Sequence, residues 1–153
     1  KDLLEMFPDK QFVFELKNES DYVKIIDIFS SSYPEQFKKN KFISFSLDAL
    51  KSVKSKSQEI YCIYIGTDML ISKRIEPFIT KKHIEMCDKN GIEELAGHLW
   101  TFSPKMIREA HGRGLRVALG PINSKWAFNH CQKHEIHSLY TDNVKKIKEI
   151  KMA

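Results

Sequence analysis

Two side chains of opposite charge lie two positions apart at the end of the first apolar run of the chain. The run extends from Gln11 to Leu16, and it places Glu15 and Lys17 at its carboxyl end. On a β-strand, residues i and i+2 face the same side, so the carboxylate and the ammonium would project together. Such a pair can hold a divalent cation and a phosphate oxygen, respectively. The alternative is a solvent-facing ion pair, the commoner role of charged pairs at a protein surface.

Short apolar runs alternate with amphipathic stretches along the whole chain of 153 residues. The six runs are 11–16, 41–45, 60–65, 95–100, 115–119 and 136–141. Serines that can cap a helix stand before three of the amphipathic stretches, at Ser20, Ser46 and Ser103, and Pro104 follows the last of these. Alternating strands and helices predict parallel strands with crossover helices, so we expect a single α/β domain over residues 1–153.

The longest amphipathic stretch and the last two also have the residue pattern of helices. Ile71 to Asn90 is predicted to be one long helix that Pro77 bends and Gly91 ends. The stretches 124–133 and 143–151 complete the set. His83 falls within the long helix beside two lysines, which predicts a surface position.

The spacing of the strands is compatible with either an open doubly wound sheet or a (β/α)8 barrel. A barrel of eight units typically takes about 250 residues, so six units would be a barrel lacking about two. An open sheet would be complete with six strands. No glycine-rich phosphate loop follows any of the strands, which disfavours a nucleotide-binding open sheet.

Charge and composition narrow the range of partners. The net charge is +5, from 25 basic and 20 acidic residues, and all but four of the basic residues are lysine. Arginine is the usual residue for base readout, so the composition favours a small anionic substrate over nucleic acid. The longest apolar run, Ile60 to Ile65, is too short to cross a bilayer, so we expect no stable membrane insertion. Three cysteines without close spacing argue against a disulfide framework and fit a reducing compartment such as the cytoplasm.

Four stretches of the chain resemble the glycerophosphodiester phosphodiesterase family. FELK at Phe14 to Lys17 is similar to the family's Glu-x-Lys strand, and ISFSLDALKSVK at Ile43 to Lys54 to its Ser-Phe motif with the helix that follows. The segment from Ser103 to Asn123 resembles the family's Ala-His helix, Gly-Leu turn, strand and closing Asn. YTD at Tyr140 to Asp142 resembles the Thr-Asp of the final strand.

The resemblance implies an incomplete (β/α)8 barrel whose first two βα units lie outside these residues. It also implies hydrolysis of glycerophosphodiesters, small substrates of lipid metabolism, to an alcohol and glycerol 3-phosphate with a divalent cation, Mg2+ or Ca2+. Glu15 would be one metal ligand, and Lys17, Ser44 and Phe45 would lie at the substrate. The family's two catalytic histidines and two further metal ligands belong to the earlier units, so this chain alone is expected to be inactive.

The chain departs from the family where an aromatic residue usually covers the glycerol. Gly120 and Pro121 stand in place of the family's Trp-Thr, and Trp100 is predicted either to replace that wall or to be half buried under a loop. His98, in the fourth apolar run, is the candidate replacement for a missing histidine. These departures keep a second hypothesis open, a barrel without activity that binds a phosphorylated ligand or a protein partner.

Overall fold

The chain forms two compact units, which are described in turn. The computed structural model describes residues 2–17, 21–66 and 79–152. The first unit contains residues 1–65 together with 90–92, and the second contains residues 66–89 together with 93–153.

The first unit consists of three parallel strands and four helices. In chain order they are α1 (Asp2–Met6), β1 (Val13–Glu15), α2 (Tyr22–Ser32), α3 (Pro34–Lys39), β2 (Lys41–Ser44), α4 (Leu47–Lys56) and β3 (Cys62–Ile65). Strand β2 lies between the other two, with Glu15 opposite Ile43 and Ser44 opposite Tyr64. The register therefore brings the carboxyl ends of the three strands to one edge.

The second unit repeats this arrangement. Its elements are α5 (Lys81–Lys89), β4 (Glu94–His98), α6 (Pro104–Gly112), β5 (Arg116–Gly120), α7 (Lys125–Lys133), β6 (Ser138–Leu139) and α8 (Val144–Met152). Strand β5 pairs in parallel with β4 and with β6, and His98 lies opposite Gly120. The helices α6, α7 and α8 each follow a strand, so all three begin at the edge where the strands end.

The cores are apolar and differ in composition. In the first unit, Phe14, Phe29, Phe37 and Phe42 form a cluster whose ring centroids lie 5.0 to 5.9 Å apart where the rings meet. In the second unit most of the fully buried side chains are aliphatic, among them Leu95, Val117 and Leu119, and the carboxylate of Glu94 is fully buried with them. Burial of such side chains contributes about 1.5–3 kcal/mol each and dominates the stability of both units.

Capping side chains at the helix starts explain why these helices could be predicted from the sequence. The side chains of Ser46 and Ser103 accept hydrogen bonds from the backbone N–H of Ala49 and Met106, both at 3.3 Å. Each such cap contributes about 1 kcal/mol. Ser124 caps α7 in the same way through Ala127 N. These helix predictions are confirmed.

Other predictions need correction or lie outside the described residues. Helix α2 follows Asp21, which makes no side-chain cap, and Ser20 is not among the described residues. Of the long helix predicted from Ile71 to Asn90 the structure describes residues 79–90, of which only Lys81–Lys89 are helical, and Pro77 lies outside the described residues. The surface position predicted for His83 is wrong: the residue is buried, and its Nδ1 lies 2.9 Å from Thr80 Oγ1, because it sits on the inner side of α5 next to Ile84 and Cys87.

All six predicted strands are present, with ends shifted by at most two residues. Helices α1 and α3 were not predicted, since each has only five or six residues and a short segment carries little periodicity. Within residues 2–17, 21–66 and 79–152, no helix is long and apolar enough to cross a membrane.

Candidate functional site at the carboxyl ends of the strands

Glu15 and Lys17 form an ion pair where β1 ends. Lys17 Nζ lies 3.5 Å from Glu15 Oε2, and the two side chains are 72% and 35% exposed, respectively. The ring of Phe14 packs against Phe29 and Phe42, so strand alternation directs Glu15 to the opposite face of the sheet. An exposed pair of this kind stabilises the fold by less than about 1 kcal/mol, so both charges remain available to a ligand from solvent.

Ser44, the last residue of β2, lies beside the end of β1 and is fully buried. Its hydroxyl donates to the carbonyl of Leu16 at 2.7 Å and accepts from the backbone N–H of Ser46 at 3.0 Å. Leu16 is the residue between Glu15 and Lys17, and it also donates from its N–H to Ile43 O at 2.9 Å. The proton of Ser44 is therefore committed to the backbone, and the hydroxyl joins the end of β1 to the end of β2.

Phe45 follows β2 directly and exposes 48% of its surface. It is the first residue after the strand and lies next to the helix-capping Ser46, so it projects at the edge where the strands end. A large exposed aromatic ring at this edge can make an apolar contact with a ligand.

Trp100 is at the corresponding edge of the second unit. It lies two residues beyond β4, in a turn in which Thr101 donates from both its N–H and its hydroxyl to His98 O. Its exposed fraction is 65%, so the alternative prediction of a half-buried tryptophan is wrong. The reason is that the turn directs the ring away from the core. The ring stacks instead on Trp126 at the surface, with centroids 5.2 Å apart and an angle of 25° between the planes.

The pairing partner Trp126 was not identified from the sequence as a site residue. It is the second residue of α7, is 56% exposed, and also stacks on His130 with a centroid distance of 5.6 Å. A tryptophan in the first turn of a helix could have been flagged, because the first turn of a crossover helix lies at the ligand-binding edge of a parallel sheet. Trp100 and Trp126 are the two tryptophans of the chain.

A polar network ties together the loops that follow β5 and β6. Asn123 Oδ1 accepts from Thr141 Oγ1 at 2.8 Å and from the N–H of Asp142 at 3.2 Å. The amide of Asn123 donates to the carboxylate of Asp142 at 3.1 Å. These residues correspond to the Asn and Thr-Asp motifs noted in the sequence, and their mutual bonds give them a structural role.

The histidines are distributed over both ends of the second unit. His98 is exposed at the end of β4, and its Nδ1 lies 3.4 Å from the N–H of Trp100. At the opposite end, His111 and His137 meet edge to face at 4.8 Å. The His137 residue is exposed, and its pKa is lowered chiefly by the partial desolvation of its ring, with His111 and Arg116 adding to the effect. Among the described histidines, His98 is the one that lies in a strand at its carboxyl end, where a ligand would bind in a barrel.

The donor set does not fit a divalent metal ion held by this chain alone. Mg2+ and Ca2+ take six or more oxygen ligands, several of them from carboxylates. Glu15 offers one carboxylate, with an ammonium 3.5 Å away, and no group of three potential metal-ligating side chains is present in the described part of the chain. A metal site here needs ligands from other residues.

Comparisons with known proteins give matches in structure but not in sequence. No protein-family model and no curated protein matches the sequence. A Silicibacter pomeroyi protein whose suggested activity is that of a glycerophosphoryl diester phosphodiesterase superposes with a TM-score of 0.79 at 15% identity, over 99% of this chain and 54% of that one. An Oleispira antarctica phosphodiesterase in complex with its product sn-glycerol-3-phosphate gives 0.75 at 19% identity, over 91% and 54%. A glycerophosphodiester phosphodiesterase from Parabacteroides distasonis gives 0.73 at 15%, over 97% and 60%.

These similarities establish the fold. The chain folds as six βα units of an incomplete (β/α)8 barrel, and the predicted structural resemblance to glycerophosphodiester phosphodiesterases is confirmed. The open doubly wound sheet is set aside. The chain spans between 54% and 60% of the length of these three structures.

Proposed function

We propose that this chain is the carboxyl-terminal part of a glycerophosphodiester phosphodiesterase barrel. The complete protein hydrolyses a glycerophosphodiester with one water molecule to an alcohol and glycerol 3-phosphate. The observation that supports this most strongly is that the chain has the fold of these phosphodiesterases and carries the Glu15–Lys17 pair where such a fold binds its substrate. The pair lies at the carboxyl end of a strand, the edge at which (β/α)8 enzymes bind their substrates.

Lys17 is proposed to bind the phosphoryl group. Its ammonium is 72% exposed and is held only by the weak pair with Glu15, so it can turn towards an anion at little cost. Attraction between two unit charges 4 Å apart is about 1 kcal/mol in water and about 4 kcal/mol near a protein surface. A phosphodiester carries one negative charge, so this attraction would orient the substrate at the end of β1.

Glu15 is proposed as one ligand of a divalent cation, Mg2+ or Ca2+, in the complete protein. The remaining ligands, together with the acid and the base that phosphodiester hydrolysis requires, would come from outside the described residues. His98 is the one described histidine at a strand's carboxyl end and is the candidate to substitute for one of them. The 153 residues alone are accordingly expected to be nearly inactive.

The three other site residues would act around the substrate within their own units. Ser44 is proposed as a positioning residue, because its buried hydroxyl fixes the backbone between Glu15 and Lys17. Phe45 and Trp100 are proposed to contact the apolar parts of the substrate, since each exposes about half or more of a large ring where the strands of its own unit end.

The second candidate function is a barrel without activity that binds a phosphorylated ligand or a protein partner. It is favoured by the lack of three grouped metal-ligating side chains among residues 2–17, 21–66 and 79–152, and by Gly120 and Pro121 at the position of the family's aromatic wall. It predicts that phosphorylated ligands stabilise the protein without being consumed.

Steady-state kinetics on the complete gene product test the proposal. With glycerophosphocholine as substrate, we expect Glu15→Gln to lower kcat/KM by at least about 100-fold and to weaken the affinity for Mg2+ or Ca2+ in calorimetry. Lys17→Met should raise KM more than it lowers kcat. Glu59→Gln and Lys38→Met are matched controls, because both residues are exposed at the opposite end of the same unit. Unchanged metal affinity in Glu15→Gln would remove Glu15 from the site, and ligand-induced stabilisation without product would establish the second function instead.

A further inference from the structure

The edge of the second unit at which its strands end carries an exposed pair of tryptophans. Trp100 and Trp126 are 65% and 56% exposed and stack on each other. Trp126 also stacks on His130, yet more than half of each tryptophan remains in water. Large aromatic rings are usually buried, and neighbouring exposed aromatic rings are typical of an interaction surface.

Four lysines lie at the same edge as this pair. They stand in the first turns of three of the helices that begin there: Lys105 in α6, Lys125 in α7, and Lys145 and Lys146 in α8. All four are exposed. The first turns of these helices contain no acidic residue, although acidic residues are the ones that helix N-termini favour. Helix stability therefore does not account for the lysines in these first turns.

Acidic side chains near this edge offset only part of the charge of the four lysines. The carboxylate of Asp142, just before α8, accepts a hydrogen bond from the neutral amide of Asn123 at 3.1 Å and keeps its negative charge. Glu109 lies beyond the first turn of α6 and pairs with Arg113 at 3.2 Å. The surface formed by Trp100, Trp126 and the four lysines is called the Trp–Lys rim below.

The composition of the rim distinguishes between classes of partner. Protein–protein interfaces are enriched in arginine and depleted in lysine, and nucleic-acid readout also favours arginine. The charged residues of the rim's first helical turns are all lysine. Tryptophan with its polar N–H concentrates at the membrane–water interface, and lysines beside it are attracted to anionic headgroups.

We propose that the Trp–Lys rim binds the surface of a membrane that contains anionic phospholipid. The two rings insert at the level of the headgroups, and the lysines contact the lipid phosphates. No helix crosses the bilayer in this mode, so binding is reversible and depends on ionic strength. This inference goes beyond phosphodiester hydrolysis and does not depend on it.

The two tryptophans allow binding at the rim to be followed by fluorescence. Because they are the only tryptophans in the 153 residues, the tryptophan emission of the 153-residue chain comes from this surface. We expect a blue shift of the emission maximum and protection from acrylamide on adding vesicles of phosphatidylglycerol and phosphatidylcholine. Vesicles of phosphatidylcholine alone should produce neither change, and 0.5 M NaCl should release the protein from the mixed vesicles.

Matched variants separate the rim from general charge. Replacing Lys105, Lys125, Lys145 and Lys146 with Gln should lower the partition coefficient in vesicle flotation at least tenfold. The control replaces four lysines from the other parts of the same helical layer, Lys89, Lys133, Lys148 and Lys151, and changes the net charge equally. Trp100→Ala with Trp126→Ala should also abolish flotation, and far-ultraviolet circular dichroism verifies that each variant is folded.

Three results would overturn the proposal. The first is failure of the protein to float with anionic vesicles at low salt. The second is an equal loss of binding in the rim variant and the control variant, which would assign the effect to net charge. The third is an emission shift with soluble glycerophosphoglycerol or an oligonucleotide but no flotation, which would assign the rim to a soluble anion. Loss of flotation in the rim variants alone would support it, whether or not the protein hydrolyses phosphodiesters.

Discussion

Replacing Ser44 with Ala removes a single oxygen atom that bonds to two backbone groups. The carbonyl of Leu16, in a buried residue, loses its donor at 2.7 Å, and the N–H of Ser46 loses its acceptor at 3.0 Å. Leaving a buried polar group without a partner costs about 1–3 kcal/mol. Taking about 2 kcal/mol, a protein of this size should lose about 4–8 °C in Tm.

The measurement is urea unfolding followed by circular dichroism at 222 nm, with Ser55→Ala as the matched control. The hydroxyl of Ser55 donates to Ser52 O at 2.7 Å but is exposed in α4, so its loss should change the free energy of unfolding by less than about 0.5 kcal/mol. Equal effects of the two substitutions would refute the reasoning that Ser44 holds the ends of β1 and β2 together.

Three further predictions follow from the second unit. Burial raises the pKa of Cys87 to about 12, so this thiol should resist alkylation at pH 8 in the folded protein and react after unfolding. Peptide mass mapping would detect the modification, and modification in the native state would contradict the burial of Cys87. An added Cβ at Gly120 would lie 2.6 Å from Tyr140 Cβ and 3.2 Å from Tyr140 O, so Gly120→Ala should lower the free energy of unfolding by about 1–3 kcal/mol, whereas Gly112→Ala, with nothing within 4 Å, should not. Partial desolvation of its ring lowers the pKa of His137 in the folded state, so the unfolded state binds more protons below about pH 6.5. The free energy of unfolding should therefore be retained above that pH and should fall as the pH drops towards the lower pKa of the folded state. Urea unfolding at several pH values should show a smaller slope of this free energy against pH in His137→Gln. An unchanged slope would contradict the assignment of this pH dependence to His137.

The sequence predicted the elements where local chemistry is strong. The six strands, and the helices that begin after Ser46, Ser103 and Ser124, follow from β-branched runs and from capping side chains. These signals act over a few residues and do not depend on the rest of the fold. The choice between a barrel and an open sheet came from the motif resemblance and was decided by structural similarity, since both folds share the same local pattern.

Burial and side-chain contacts were predicted less well, because they depend on tertiary packing. His83, flanked by lysines, was expected at the surface and is buried. Trp100 was predicted either to form an aromatic wall or to be half buried under a loop. Its stacking on Trp126 joins residues 26 positions apart in the chain, and a contact over that separation cannot be predicted from periodicity. The pairing of Glu15 with Lys17 was predicted because alternation along a strand fixes which side chains share a face. Their proposed roles in metal and substrate binding remain predictions.

The most direct measurement of the central claim compares two proteins with one substrate. Phosphorus-31 nuclear magnetic resonance can follow glycerol 3-phosphate as it forms from glycerophosphocholine, with the complete gene product and the 153-residue chain at equal concentration and with Mg2+ or Ca2+ present. The account predicts turnover by the complete product and none above background by the 153-residue chain, because it assigns the two catalytic histidines and two further metal ligands to the earlier units of the barrel. Turnover by the 153-residue chain alone, or none by the complete product, would contradict it.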